Sequence, residues 1–152
     1  MIKKLFIAAF LVVSSNSFSQ IVMSIEDSEK KYAKDSLQEL YFFRIMSDEI
    51  IECFEVSPEL FLEEWSKFTR EITKYMKEQK FFFGKEMKGL MEVYFNKGGN
   101  IDYFFISLRD KEFPKDRLEK LILLLNDFSK DYKFTIEAKQ AFSNMGGISF
   151  MQ

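Results

Sequence analysis

The chain has 152 residues, with 22 Lys and Arg against 24 Asp and Glu and a formal net charge of −2. This slight acidic excess argues against nucleic acid or an anionic lipid surface as the main partner. There is no histidine and one cysteine, which excludes Ser-His-Asp and Cys-His catalysis, histidine-ligated or thiolate zinc sites and an intramolecular disulfide.

Residues 1–19 have the pattern of a secretory signal peptide. Lys3 and Lys4 precede an apolar run at 5–13, and small residues follow at Ser17 and Ser19. This is the pattern that signal peptidase recognises. Nine helical residues rise only about 14 Å, against roughly 30 Å of hydrocarbon. The sequence therefore predicts an exported protein, periplasmic or extracellular, with no stable membrane insertion and a single domain over 20–152.

The mature chain from Gln20 would retain 16 phenylalanines, most of which we expect in a core. Cys53 lies among apolar residues and is expected to be a small buried side chain, not a reactive thiol.

The first part of the mature chain, 20–80, is predicted to be mainly helical. From Ser28 to about Phe54 the apolar spacing favours a helix, although strands at 41–43 and 50–51 around a turn are an alternative. Ser57 and Pro58 then form a clear helix start, followed by an apolar stripe that runs to about Lys80.

After Gly84 the apolar period changes to two, which predicts a β-hairpin over 89–108 with a turn at 97–100. The second strand is apolar on both faces. Phe104 therefore faces one side and Phe105 the other, and we expect helices or another subunit to cover both.

Pro114 is expected to open a helix with a broad apolar face. Alternation over 134–138 predicts a third strand, and Ile148 and Phe150 a short last strand after turn residues at 144–147. The predicted fold class is α+β. N-terminal helices precede a ββαβ(β) unit over 86–152, a small mixed sheet with a helix packed on one face.

No constellation of polar residues points to catalysis, a cofactor or a metal. Glu63 and Glu64 are adjacent on a helix, so their side chains diverge, and the acidic pair at 127 and 131 is typical of a solvated surface. Residues 96–102 have the oxygen spacing of a calcium loop without its closing Glu, and a hairpin turn explains them. We therefore predict a protein that is not an enzyme and that has no cofactor.

Three consecutive phenylalanines, 81–83, precede Gly84 at a junction between elements. One segment cannot easily bury three adjacent rings, so they form either a core-crossing linker or a contact patch. The predicted partner-contact residues are Phe81, Phe82, Phe83, Phe134, Ile136, Ile148 and Phe150.

The stretch from about Lys88 to Met151 resembles the TonB C-terminal-like domain. The residues that match are Gly89 before the alternating strand at 91–95, the Gly-Asn-Ile at 99–101, the helix with Leu118 and Leu125, and the closing 148–150. The resemblance implies a ββαβ fold in which a sheet edge pairs with an extended peptide of a partner. The long Pro-rich linker and uncleaved anchor of that family's energy transducers are missing, so their energy-transducing role is not implied.

These observations predict an exported, non-enzymatic protein-interaction module of the cell envelope that uses the strand at 134–138 or 148–151 as a pairing edge. Its partner would be an unknown envelope protein, and a homodimer is compatible with the same mechanism. The alternative is a carrier of an apolar small molecule, which the phenylalanine content suggests.

Overall fold

A computed structural model describes residues 20–42 and 52–151; the predicted signal peptide and the alternative strand at 50–51 lie outside these ranges. The elements in chain order are β1 (Ile21–Ser24), α1 (Ile25–Lys31), α2 (Lys34–Leu40), α3 (Pro58–Glu78), β2 (Met87–Phe95), β3 (Ile101–Leu108), α4 (Lys115–Asp131) and β4 (Phe142–Phe150). The α+β class is confirmed.

The four strands form one mixed sheet in the order β1-β3-β2-β4. β2 and β3 are the predicted hairpin and pair antiparallel, with Val93 opposite Phe104. β4 pairs antiparallel with the other side of β2, and β1 pairs parallel with β3. β1 and β4 are therefore the two edges of the sheet.

Helices α3 and α4 pack on the same face of the sheet and form the main core with it. α3 begins as its sequence predicts, since the Ser57 hydroxyl accepts a hydrogen bond from Leu60 N at 3.4 Å and Pro58 follows at the first helical position. Its stripe of Phe61, Trp65, Phe68, Ile72 and Met76 is buried.

The short helices α1 and α2 cover the opposite face, where Leu37 packs with Tyr94 and Phe105. Phe104 and Phe105 are both buried, on opposite faces, so the expected covering of both faces by helices is confirmed. The helix favoured from Ser28 to about Phe54 is only partly present in the described residues, as separate short helices. α1 ends at Lys31, and α2 ends before Tyr41, whose backbone is extended.

The predicted strand over 134–138 is wrong. Phe134 N donates to Gly99 O at 2.8 Å, Thr135 N donates to a Glu64 carboxylate oxygen at 3.2 Å, and Lys139 N donates to Cys53 O at 2.8 Å. These hydrogen bonds go to three separate parts of the chain and not to one neighbouring strand. The alternation arises because Phe134 and Ala138 enter the core from an irregular segment.

The last strand is longer than predicted because residues 144–147 continue β4 and do not form a turn. At Gly146 a Cβ atom would lie 2.8 Å from the indole nitrogen of Trp65. The glycine is therefore needed for close packing between α3 and the sheet and not for a turn.

β1 was not predicted from the sequence, since it is only four residues long and depends on β3 for its pairing. Cys53 is fully buried, and burial raises the pKa of its thiol to about 11, as expected of a structural cysteine. Within the described ranges no helix is both long enough and apolar enough to cross a bilayer.

Candidate functional site

Among the described residues, 20–42 and 52–151, no strand pairs with the C-terminal half of the outer edge of β4. At the start of the strand, Phe42 N donates to Ala141 O and Ser143 N donates to Phe42 O, so Ser143 directs its backbone groups outward. Backbone groups alternate along an antiparallel strand, and Met145, Gly147 and Ser149 therefore also point outward. Their N–H groups have no hydrogen-bond partner among the described residues.

A groove of about 290 Å³ runs beside this open edge, between β4 and α3. From α3 it is lined by Thr69, Arg70, Thr73 and Lys77, and from the other side by residues 147–149 and Met151. The side chains of Ile148 and Phe150 are buried beneath the strand and hold it against the core. The groove therefore has a buried floor and, as far as the described residues go, a backbone edge without a partner strand.

The three phenylalanines at 81–83 lie at one end of this groove. Phe81 and Phe83 are buried, and Phe83 stacks on Phe150 with ring centroids 4.6 Å apart. Phe82 turns outward with 54% of its surface exposed, while its carbonyl accepts a hydrogen bond from the Arg117 guanidinium. The triplet is thus both a core-crossing linker and, through Phe82, part of an exposed surface.

The predicted contact residues lie in three places. Phe81, Phe82, Phe83 and Phe150 line one small pocket that shares Thr73, Lys77 and Met151 with the groove, and Ile148 lines the groove itself. Phe134 is 1% exposed and lies in the core, so it is not available to a partner. Ile136 lines a different depression, beside the N-terminal half of α3.

The sequence prediction missed the two cations of the groove, Arg70 and Lys77. Neither has an acidic partner in the described part of the chain, whereas the Lys67 and Lys74 ammonium groups lie 3.6 and 3.7 Å from the carboxylates of Glu64 and Glu78. Their spacing of seven residues, two helical turns, indicates that both lie on one face of α3. The spacing alone does not indicate that this face borders β4.

The other sheet edge differs in both length and charge. β1 has four residues, and the depression near it contains Glu26 and Lys111, which pair with each other at 3.2 Å. The cation at that edge is thus already neutralised. The β4 edge is the longer one, and its cations Arg70 and Lys77 have no acidic partner within residues 20–42 and 52–151.

A group of tyrosines with two carboxylates lies under α1 and α2. The Tyr94 hydroxyl donates to Glu92, 3% exposed, at 2.6 Å, and the Tyr41 hydroxyl donates to Asp102 at 2.9 Å. Burial first, and then the hydrogen-bonded carboxylates, raise the pKa of both phenols. These groups satisfy one another, which is typical of a structural network. Over the described ranges there is no group of three or more acidic or cysteine side chains placed to hold a metal ion.

No family model matches the chain, and searches of curated proteins and of solved structures also found no match. The resemblance to the TonB C-terminal-like domain therefore stays a prediction.

Proposed function

We propose that this chain is an exported, non-enzymatic protein-interaction module of the cell envelope, and that it binds an extended segment of a partner protein along the outer edge of β4. The observation that carries the proposal is the backbone edge at 145–149 beside the groove of α3, which has no pairing strand in the part of the chain that the structure describes. The pattern of residues 1–19 supports export.

Strand addition explains how a surface without catalytic groups binds a partner. An added strand would lie about 4.8 Å from β4 and would form main-chain hydrogen bonds with Met145, Gly147 and Ser149. Natural proteins usually protect a free edge with lysine, proline or a covering element. Residues 142–150 contain no charged residue and no proline, and they include two adjacent glycines.

The order β2, β3, α4, β4 is the ββαβ order that the TonB C-terminal-like resemblance implies. That family pairs a sheet edge with a partner peptide, which supports the same mode here. The proposed edge is therefore the one at 145–149, because the alternative edge at 134–138 is not a strand.

Two other partners receive less support. A homodimer formed through β4 would bring two grooves with unpaired cations together, and like charges repel. The apolar pocket at 81–83 has a volume of about 10 Å³, whereas sites for small molecules have volumes of roughly 300 Å³ or more. The size of this pocket therefore does not favour a carrier of an apolar small molecule.

The test uses one residue of the edge. Ser149→Pro removes an outward N–H without touching the ladder to β2, and edge strands tolerate proline at such positions. Ser149→Ala is the matched control, because it keeps the N–H and removes the hydroxyl, which donates to Glu86 at 3.1 Å. Peptides selected from a random displayed library on the wild-type protein serve as the probe.

We expect Ser149→Ala to bind the selected peptides like wild type and a folded Ser149→Pro to lose most of their binding. If Ser149→Pro does not fold, the Gly147→Pro variant is used in its place, because it removes another outward N–H. Equal binding by a folded proline variant, or a library that yields no binding peptide, would contradict the proposal.

A further inference from the structure

We infer that the partner segment is acidic, with two carboxylates that contact Arg70 and Lys77 on α3 while its backbone pairs with β4. This inference rests on the proposed function and names the chemistry of its partner. The inference specifies the side chains of the partner, whereas a sheet edge by itself pairs with any extended chain.

The described residues that line the groove carry positive charge, although the protein as a whole is acidic. None of these described residues is Asp or Glu, and two of them are Arg70 and Lys77. Glu92 lies opposite Met145 in the β2–β4 ladder, but its carboxylate is buried and accepts a hydrogen bond from the Tyr94 hydroxyl. An exposed acidic residue that contacts the strand is Glu86. It accepts a hydrogen bond from the Ser149 hydroxyl and lies 3.4 Å from the Lys88 ammonium. An acidic segment would therefore meet two cations that lack partners among the described residues.

The other polar side chains of the groove are less suited to recognising charge. The Thr69 hydroxyl donates to Ser66 O at 2.9 Å, and the Thr73 hydroxyl donates to Thr69 O at 2.8 Å. Their protons are thus held by the backbone of α3 itself. Recognition of a carboxylate is left to Arg70 and Lys77, whose exposed side chains can move toward it.

The positions of the cations limit the spacing of the acids. Seven helical residues rise about 10.5 Å. In an extended strand, residues i and i+2 are about 6.8 Å apart and i and i+4 about 13.5 Å, and both pairs lie on one face. Long Arg and Lys side chains reach either spacing. Acids at i and i+3 face opposite sides of the strand and do not meet both cations.

An apolar residue of the partner is expected at one end of the same groove. Phe82 is exposed there, and Met151 borders both the groove and the pocket that Phe82 lines. Contact with these two side chains removes exposed apolar surface from water. The expected segment is thus an extended strand with two acids of even spacing and an apolar end.

The probes are labelled nine-residue peptides of Thr and Val that differ only in two positions. One carries Glu at i and i+2, a second carries Glu at i and i+3, and a third carries Gln at i and i+2. Fluorescence anisotropy gives their Kd for wild type, for Arg70→Gln with Lys77→Gln, and for the control Lys67→Gln with Lys74→Gln. The control removes the same charge from the same helix, but from lysines that already have acidic partners.

We expect the i, i+2 Glu peptide to bind wild type most tightly at low ionic strength. The Arg70 and Lys77 double variant should bind it about tenfold more weakly, and the control pair should change Kd less than about twofold. Added salt should remove most of the difference.

Equal Kd values for the Glu and Gln peptides would overturn the acidic partner and leave the edge proposal standing. Tight Glu binding that Ser149→Pro does not weaken would instead contradict edge pairing. Binding to vesicles of anionic lipid, without binding to any peptide, would overturn both.

Discussion

The close approach of Trp65 to Gly146 packs α3 against β4, next to the residues that line the groove. In Gly146→Ala the new Cβ would lie 2.8 Å from the indole nitrogen and 3.2 Å from two ring carbons of Trp65. Ordinary contact begins at about 3.4 Å, so the ring must retreat by several tenths of an ångström. The Phe68 ring also packs against the Trp65 ring, with ring centroids 5.2 Å apart.

Overpacking of this kind costs about 1–3 kcal/mol. For a domain of this size we expect Gly146→Ala to lower the free energy of unfolding by about 2 kcal/mol and the melting temperature by roughly 7 °C. The neighbouring Gly147→Ala is the control, because its Cβ would meet nothing nearer than Gly89 O at 3.9 Å. We expect it to be neutral, or more stable by about 0.4–1 kcal/mol through the unfolded chain.

Urea unfolding followed by intrinsic fluorescence is a direct assay, because Trp65 is the single tryptophan of the chain. Gly146→Ala should shift the native emission of Trp65 as well as the midpoint, and Gly147→Ala should shift neither appreciably. Equal stability of the two variants with identical emission would refute close packing of α3 on β4 at Gly146. The groove would then need another explanation.

Three further predictions concern the rest of the fold. Gly99 has φ of +83°, and an added Cβ would lie 2.4 Å from Phe134 O; Gly99→Ala should therefore cost about 2 kcal/mol or more by thermal unfolding. Gly98→Ala, with no positive φ, should cost less. Buried Cys53 should react with a thiol reagent at pH 8 only after denaturant is added. Burial and a hydrogen-bonded carboxylate raise the pKa of Tyr75 to about 12. The Tyr75 phenol therefore ionises at lower pH in the unfolded chain than in the folded one, and the free energy of unfolding should fall as the pH rises from about 10 to 12. The fall should be less steep in Tyr75→Phe than in wild type. Equal slopes for the two proteins would contradict this prediction.

Local sequence signals were sufficient where an element is defined by its own residues. The β2–β3 hairpin and the helix that starts at Ser57 have clear periods and clear ends, and both are confirmed. Pro114 correctly marked the start of α4. In each case the apolar spacing and the turn or cap residues agree, which is the condition under which sequence patterns are reliable.

The errors occur where a residue's role depends on a distant partner. Gly146 has the local pattern of a turn, but its reason is Trp65, 81 positions earlier in the chain. Phe134 alternates like a strand residue, but its backbone bonds to Gly99. β1 forms only because β3 offers an edge. None of these contacts is contained in local periodicity.

The candidate site was predicted in part for the same reason. The sequence patterns pointed to the aromatic residues at 81–83 and to the edge at 148–151, because apolar clusters and last strands have local signals. Arg70 and Lys77 gain a role only through the approach of α3 to β4, which a single sequence does not reveal.

The most direct measurement is NMR of the isotope-labelled protein with a bound strand-forming peptide, with attention to the amides of Gly147 and Ser149. Edge pairing predicts slower hydrogen exchange at both amides and cross-strand contacts from the peptide backbone to β4. Bound peptide that leaves these amides unchanged, and protects β1 or the surface of α3 alone, would contradict it.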